Sequence, residues 1–283
     1  MIHCEFMATK IDSHHHFWKY DAKEYDWIDD HMKVIRRDFL PPDLRKEIAA
    51  AGINGVVSVQ ARQTVQETEW LLTMANQTDF IRGVVGWVPL IDPKVRGIIE
   101  KFAGQRKLRS MRHVLQGEAD PNYMLRKDFQ NGIAALKPPG LVYDILIFEK
   151  HLPQTLQFVD RNPNQVFVVD HIAKPRIKEH AVSPWADNMR KLAERPHVYC
   201  KVSGMVTEAD YKTWTPADLK PYFEVVLQAF GPKRLMFGSD WPVSLVACGY
   251  KRWVDVVSQA ISRLSAAEQE RIFGGTAIEA YKL

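Results

Sequence analysis

The chain has 283 residues, 46% hydrophobic and 25% charged, enough to bury a large core as one domain over 1–283. A formal charge of +4, with Lys and Arg scattered rather than run together, excludes a basic stripe for nucleic acid or lipid and leaves a small molecule as the expected partner. Three cysteines, Cys4, Cys200 and Cys248, show no CxxC spacing, which argues against a disulfide framework or a four-thiolate zinc site and for a reducing compartment. The first ten residues, MIHCEFMATK, carry neither a basic n-region nor an apolar h-region, and no apolar run approaches the ~20 residues of a membrane span. A cytoplasmic protein is expected, with Met7 an alternative start and 1–7 then an upstream extension.

Taken in chain order, β-branched runs at 10–13, 55–61, 83–88, 110–115, 141–146, 166–171, 198–203 and 235–239 read as strands. Helical patterns separate them at 41–52, 64–77, 92–104, 126–140, 149–163, 185–196 and 215–231, with apolar residues near i, i+3, i+4 and i+7. Strands such as VFVVDH and GVVSVQ are almost continuously apolar until their last positions, the signature of parallel strands covered on both faces. Eight such alternations without a glycine-rich fingerprint predict a closed (β/α)8 TIM barrel, whose chemistry lies at the C-terminal ends of the strands. The segment 17–42, rich in aromatics, is too long for a plain turn and is expected to form a lid or a pocket wall.

The end of the first strand reads IDSHHHFW. A purification tag would place six histidines in a polar linker, whereas these three stand between a strand and Phe17-Trp18. In extended chain alternate side chains share a face, so Asp12, His14 and His16 are expected to point one way and His15 the other. A His14/His16 pair at a barrel mouth suits metal ligation, hydrogen bonding to a substrate oxygen, or merely local hydrogen bonds. Other strand ends supply Arg112 and His113, Asp170 and His171, and Asp240. Each taken alone has a structural explanation, as a helix cap, a core histidine or an internal ion pair. Together they suggest a site in which Asp240, at the end of an apolar strand and beside cations, is a general base.

The motifs DSHHHFW with YDWI downstream, DHIAKP around His171, FGSDWP around Asp240 and the closing FGGTAIEAYKL make the chain similar to the amidohydrolase superfamily, of the amidohydrolase 2 type. Within it, HFW with YDWI resembles the sugar-lactonase branch that contains L-fuconolactone and L-rhamnonolactone hydrolases. The resemblance spans the first strand to the C-terminus and implies lactone hydrolysis in sugar catabolism, such as that of L-fucose. Metal-dependent members of the superfamily add further histidines on the later strands. Here only His171 matches, and the next strand ends in Lys201, Ser203 and Gly204, with His197 at its opposite end. His14, His16, His171 and Asp240 could hold one zinc ion, but fixed charge on Arg112 and Lys201 would disfavour a dication, so no metal is expected to be required.

The expected reaction is attack of water on a lactone carbonyl. Asp240 takes the water proton, His171 and Arg112 hold the oxyanion, and His14 and His16 orient water or the ring oxygen. No GxSxG elbow suggests a seryl route. Trp18, Trp27, Gln60, Trp87, Tyr143 and Trp241 are the expected substrate wall, with core or lid packing as their other reading, and Tyr143 and Asp144 cannot both face inward. Two other functions compete: a mononuclear metal-dependent decarboxylase or hydratase, and a carbohydrate-binding barrel without catalysis. The C-terminal AIEAYKL suits either an interface or packing on the barrel.

Overall fold

The computed structural model describes residues 9–283; the proposed 1–7 extension and Cys4 lie outside the described residues. Eight parallel strands pair in chain order: β1 (Ile11–His15), β2 (Gly55–Val59), β3 (Ile81–Gly86), β4 (Leu108–Val114), β5 (Val142–Leu146), β6 (Phe167–Val169), β7 (Val198–Val202) and β8 (Leu235–Phe237). The ring closes just past β8, where the Asp240 N–H donates to the His14 carbonyl at 2.8 Å and the His16 N–H donates to the Trp241 carbonyl at 2.7 Å. The fold is therefore the (β/α)8 barrel, closed among the described residues by the bridge between His15 and Trp241. Helices α1 (Pro41–Ala51), α2 (Val65–Gln77), α3 (Val95–Glu100), α4 (Lys127–Leu136), α5 (Leu152–Asp160), α6 (Trp185–Ala193), α7 (Pro216–Phe230) and α8 (Tyr250–Ala260) follow the strands in turn.

Alternation divides each strand between two cores. Val56 and Val84 face the helices, while Val57, Val59, Val85, Val142, Val168 and Met236 fill the interior with Ile11. The C-terminus adds α9 (Ala266–Glu270), a π-helical turn and α10 (Thr276–Tyr281). Ala277, Ala280 and Tyr281 join the interior cluster, so AIEAYKL stoppers the N-terminal end of the barrel. Among the described residues no helix is long and apolar enough to cross a membrane.

Three departures from the sequence pattern bear on the site. β1 carries a bulge: Asp12 pairs with Val56 but His15 with Ser58, so three residues on one strand match two on the other. The alternation slips, Ile11 and His14 both face inward, and Asp12 turns out to accept hydrogen bonds from the Tyr250 hydroxyl at 3.0 Å and the Ser239 hydroxyl at 2.6 Å. Asp12 therefore does not share the face of His14 and His16. Second, β6 stops at Val169, because His171, Ile172, Ala173 and Lys174 all adopt left-handed backbone, with φ of 53°, 47°, 59° and 48°. Third, α8 escaped the periodicity reading although Tyr250, Trp253, Val254 and Val257 stand at i, i+3, i+4 and i+7 and are all buried. The segment after β1 is packed down as a wall, with Trp18 and Phe39 exchanging backbone hydrogen bonds of 3.1 and 2.9 Å.

Candidate active site

The three adjacent histidines separate as alternation after the bulge requires. His15 points away from the site, its Nε2 2.9 Å from the Ser58 hydroxyl, and packs edge-on against Phe17. Burial pulls its pKa down to about 3, so it is a neutral core residue. His14 and His16 meet at 3.2 Å between their Nε2 atoms, and both lie near Asp240 Oδ1, at 3.8 and 3.6 Å. His171 Nε2 approaches the same oxygen at 3.9 Å from the side of β6.

Each ring is fixed from behind. His16 Nδ1 donates to the Val59 carbonyl at 2.8 Å, which leaves a lone pair on its Nε2 in the neutral ring. Ser203 Oγ lies 2.9 Å from His171 Nδ1 and can serve either tautomer by rotating its hydroxyl. Two glycines make room for the rings. A Cβ on Gly238 would come within 2.8 Å of His14 Cβ, and one on Gly204, where φ is +60°, within 2.5 Å of His171 Nδ1. Burial pulls His14 well below the usual imidazole range and His171 down to about 4, so both are neutral near pH 7. Burial pushes Asp240 up, but His171 and His16 outweigh it and hold the carboxylate below its ordinary value.

Beneath the histidines lies a second tier that the sequence pattern only hinted at. Lys201 Nζ stands 2.6 Å from Asp144 Oδ2, 3.0 Å from Asp170 Oδ1 and 3.2 Å from His14 Nδ1. Arg112 Nη1 donates to Asp170 Oδ2 at 3.0 Å, while Nη2 is taken by the Gln60 backbone carbonyl and by Gln60 Oε1 at 3.1 Å. Ser110 and Tyr281 hydroxyls donate to Asp144 at 2.7 and 2.8 Å. Burial pushes Asp170 up, yet Lys201, His14 and Arg112 hold it well below the carboxylate range. The positive charge that was expected to repel a dication is thus neutralised in place by Asp144 and Asp170. Arg112 is a buttress whose terminal nitrogens are engaged, Nη1 also lying 3.4 Å from His14 Nε2.

Of the predicted substrate wall, Gln60 is engaged with Arg112, and Tyr143 faces the outer core among Phe129, Phe158 and Phe167 because Asp144 takes the inward position. That corrects the reading of Tyr143 as a wall residue. Trp18 and Trp241 are buried behind the histidines, Trp18 lying nearly parallel to His16 and donating to the Arg37 carbonyl at 2.8 Å. Trp87 donates to His113 Nδ1 at 3.2 Å and keeps partial exposure, and Trp27, 40% exposed, packs edge-on against Trp18 on the segment after β1.

The donor set also suits a metal. Two ligands about 2.0–2.1 Å from a tetrahedral ion stand roughly 3.4 Å apart, and the His14, His16 and Asp240 ligand atoms are separated by 3.2, 3.6 and 3.8 Å. With His14 protonated at Nδ1 toward Asp170, 3.3 Å away, two Nε2 lone pairs face each other and would accept a cation. With the proton on Nε2, His14 donates to His16 and the cluster closes on itself.

Imidazoles gathered on one aspartate at the mouth of this barrel define a class of enzyme that turns a water molecule against an electrophilic carbon. The chain belongs to the Amidohydro_2 family, described as Amidohydrolase, which it matches over residues 11–283. It is 42% identical to an L-fucono-1,5-lactonase from Burkholderia multivorans, with 98% of this chain and 97% of that one covered. A second L-fucono-1,5-lactonase, from Burkholderia ambifaria, is 36% identical over the same shares of both chains. A crystal structure of a Burkholderia multivorans amidohydrolase with bound zinc superposes with a TM-score of 0.93 at 42% identity, covering 98% of this chain and all of the other.

Proposed function

We propose that the chain is a sugar lactonase that opens L-fucono-1,5-lactone, or a close aldonolactone, to the aldonic acid. What carries this reading is the His14–His16–His171–Asp240 cluster at the barrel mouth, in a chain similar over nearly its full length to two L-fucono-1,5-lactonases.

Asp240 is the base. Its low pKa keeps it ionised at neutral pH, and its carboxylate faces the mouth with imidazoles around it. A water beside Asp240 gives it a proton as the water oxygen bonds to the lactone carbonyl carbon, leaving an oxyanion on the former carbonyl oxygen. The oxyanion then reforms the carbonyl, the ring C–O bond breaks, and the departing ring oxygen takes the proton back from Asp240. The product is the hydroxy acid, which ionises. With Ser203 donating to its Nδ1, His171 presents Nε2–H toward the mouth, where it meets the oxyanion. His14 and His16 line the place of the water beside Asp240, and Lys201, donating to His14 Nδ1, holds that ring.

His14, His16 and Asp240, with His171 Nε2 3.9 Å from the same aspartate oxygen, are the residues that would hold a divalent ion such as zinc, which when bound would supply Lewis acidity to the water and carbonyl. Hydrolysis is proposed to run on the protein's own groups without that ion, since in one tautomer His14 Nε2–H donates to His16 Nε2 and the two facing lone pairs are no longer open. Proton release from freshly prepared L-fucono-1,5-lactone tests the function. Asp240→Asn is expected to lower kcat at least ~10²-fold with the fold intact by circular dichroism. A wild type that opens no aldonolactone sinks the reading.

A further inference from the structure

The left-handed run after β6 is costly. Left-handed backbone disfavours every residue but glycine, and four non-glycine residues stand in it in succession from His171 to Lys174. The surroundings hold it: Ile172 and Ala173 are fully buried, and Trp185 Nε1 donates to the Ile172 carbonyl at 2.7 Å. The turn closes on itself through the Lys174 N–H, which donates to the His171 carbonyl at 2.8 Å. A turn closed over three residues returns residue i+3 to the side of residue i, so Lys174 rises on the same side as the catalytic His171.

At the top of that turn the Lys174 ammonium faces Glu208, from the segment after β7, at 3.7 Å. The two side chains are only 17% and 20% exposed, yet that distance is too long for a good hydrogen bond, and among the described residues neither head group has a closer polar partner. A largely buried charge without hydrogen bonds is unfavourable unless something completes it. Lys174 lies close enough to act electrostatically on both His171 and Asp240, and Glu208 feels Asp240 in turn. The pair therefore stands beside the reacting centre with a strong donor and a strong acceptor 3.7 Å apart.

We propose that Lys174 and Glu208 form the subsite that reads two neighbouring ring hydroxyls of the lactone, Lys174 donating to one hydroxyl oxygen and Glu208 accepting from the other. The inference rests on the lactonase reading. It assigns these residues to substrate choice rather than to the carbonyl, so their removal is expected to matter only when the ring carries hydroxyls.

The test compares kcat/KM for L-fucono-1,5-lactone with that for the hydroxyl-free δ-valerolactone. Lys174→Asn removes the cation but keeps a residue that tolerates left-handed backbone, Lys174→Arg restores the charge, and Glu208→Gln removes the anion. Lys174→Asn and Glu208→Gln are expected to cut kcat/KM for the sugar lactone at least ~10-fold, mostly in KM, to leave δ-valerolactone within about two-fold, and Lys174→Arg to recover much of the loss. A parallel fall on both lactones overturns the subsite, since it would mean a structural or carbonyl-directed role. Unchanged kinetics on the sugar lactone overturn it as well, while leaving the lactonase reading standing. A wild type that opens neither lactone overturns both.

Discussion

At the residue scale, the direction a side chain faces and its burial together set what each ionisable group can do. His15 shares its residue type and neighbourhood with His14 and His16, yet it is a core side chain because alternation sends it to Ser58. Glu67 shows the same principle outside the site. Its carboxylate accepts the Ala61 and Arg62 N–H groups at 3.0 and 2.6 Å, and burial pushes its pKa up to about 7. The folded state then favours the protonated form. Its penalty is absent below the unfolded pKa near 4.5, grows as pH rises, and is complete above about 7, where it amounts to about 3 kcal/mol. Glu67→Gln keeps an acceptor and removes the charge, so it is expected to be more stable than wild type at pH 8 and no more stable at pH 4. Urea denaturation at both pH values measures this; an equal offset at both would refute the assignment.

At the scale of elements, two local irregularities build the site: the bulge in β1 and the left-handed turn after β6. Without the bulge, Asp12 rather than Ile11 would share the inward side with His14. A third element acts from below, since α10 places the Tyr281 hydroxyl 2.8 Å from Asp144, beside the Lys201 ammonium. Tyr281→Phe removes one donor to a buried carboxylate and is expected to cost about 1–3 kcal/mol; Tyr281→Ala also opens a cavity and is expected to cost about 3–5 kcal/mol. If both variants unfold in urea like wild type, α10 is not the stopper that the packing indicates.

For the whole molecule, the barrel gathers side chains from β1, β4, β5 and β7 and from the turns after β6 and β8 into two tiers, an ionic one below and an imidazole one at the mouth. The ionic tier pairs Lys201 and Arg112 with Asp144 and Asp170, and in the proposed mechanism the water and carbonyl are handled at the mouth. Dialysis against a chelator is therefore expected to leave lactone turnover within about two-fold of the untreated protein. Loss of turnover that added zinc restores would instead make His14, His16, His171 and Asp240 obligatory ligands.

How much of this was legible in the chain follows from what each pattern encodes. Apolar runs at strand and helix period carry burial, so the eight strands, the barrel and the separation of His14 and His16 from His15 could all be read from residue order. Asp240 and His171 were readable because they follow apolar runs. By itself, then, the sequence determined the architecture and the residue types of the candidate site. Only the tertiary structure decided their partners: that Arg112 is consumed by Asp170 and Gln60, that Tyr143 faces outward, that Asp12 leaves the site, and that Lys174 meets Glu208. The reason is physical. Side-chain period is local, whereas a bulge, a strained turn and an ion pair between distant strand ends are settled by packing across the barrel, which no window of neighbouring residues contains.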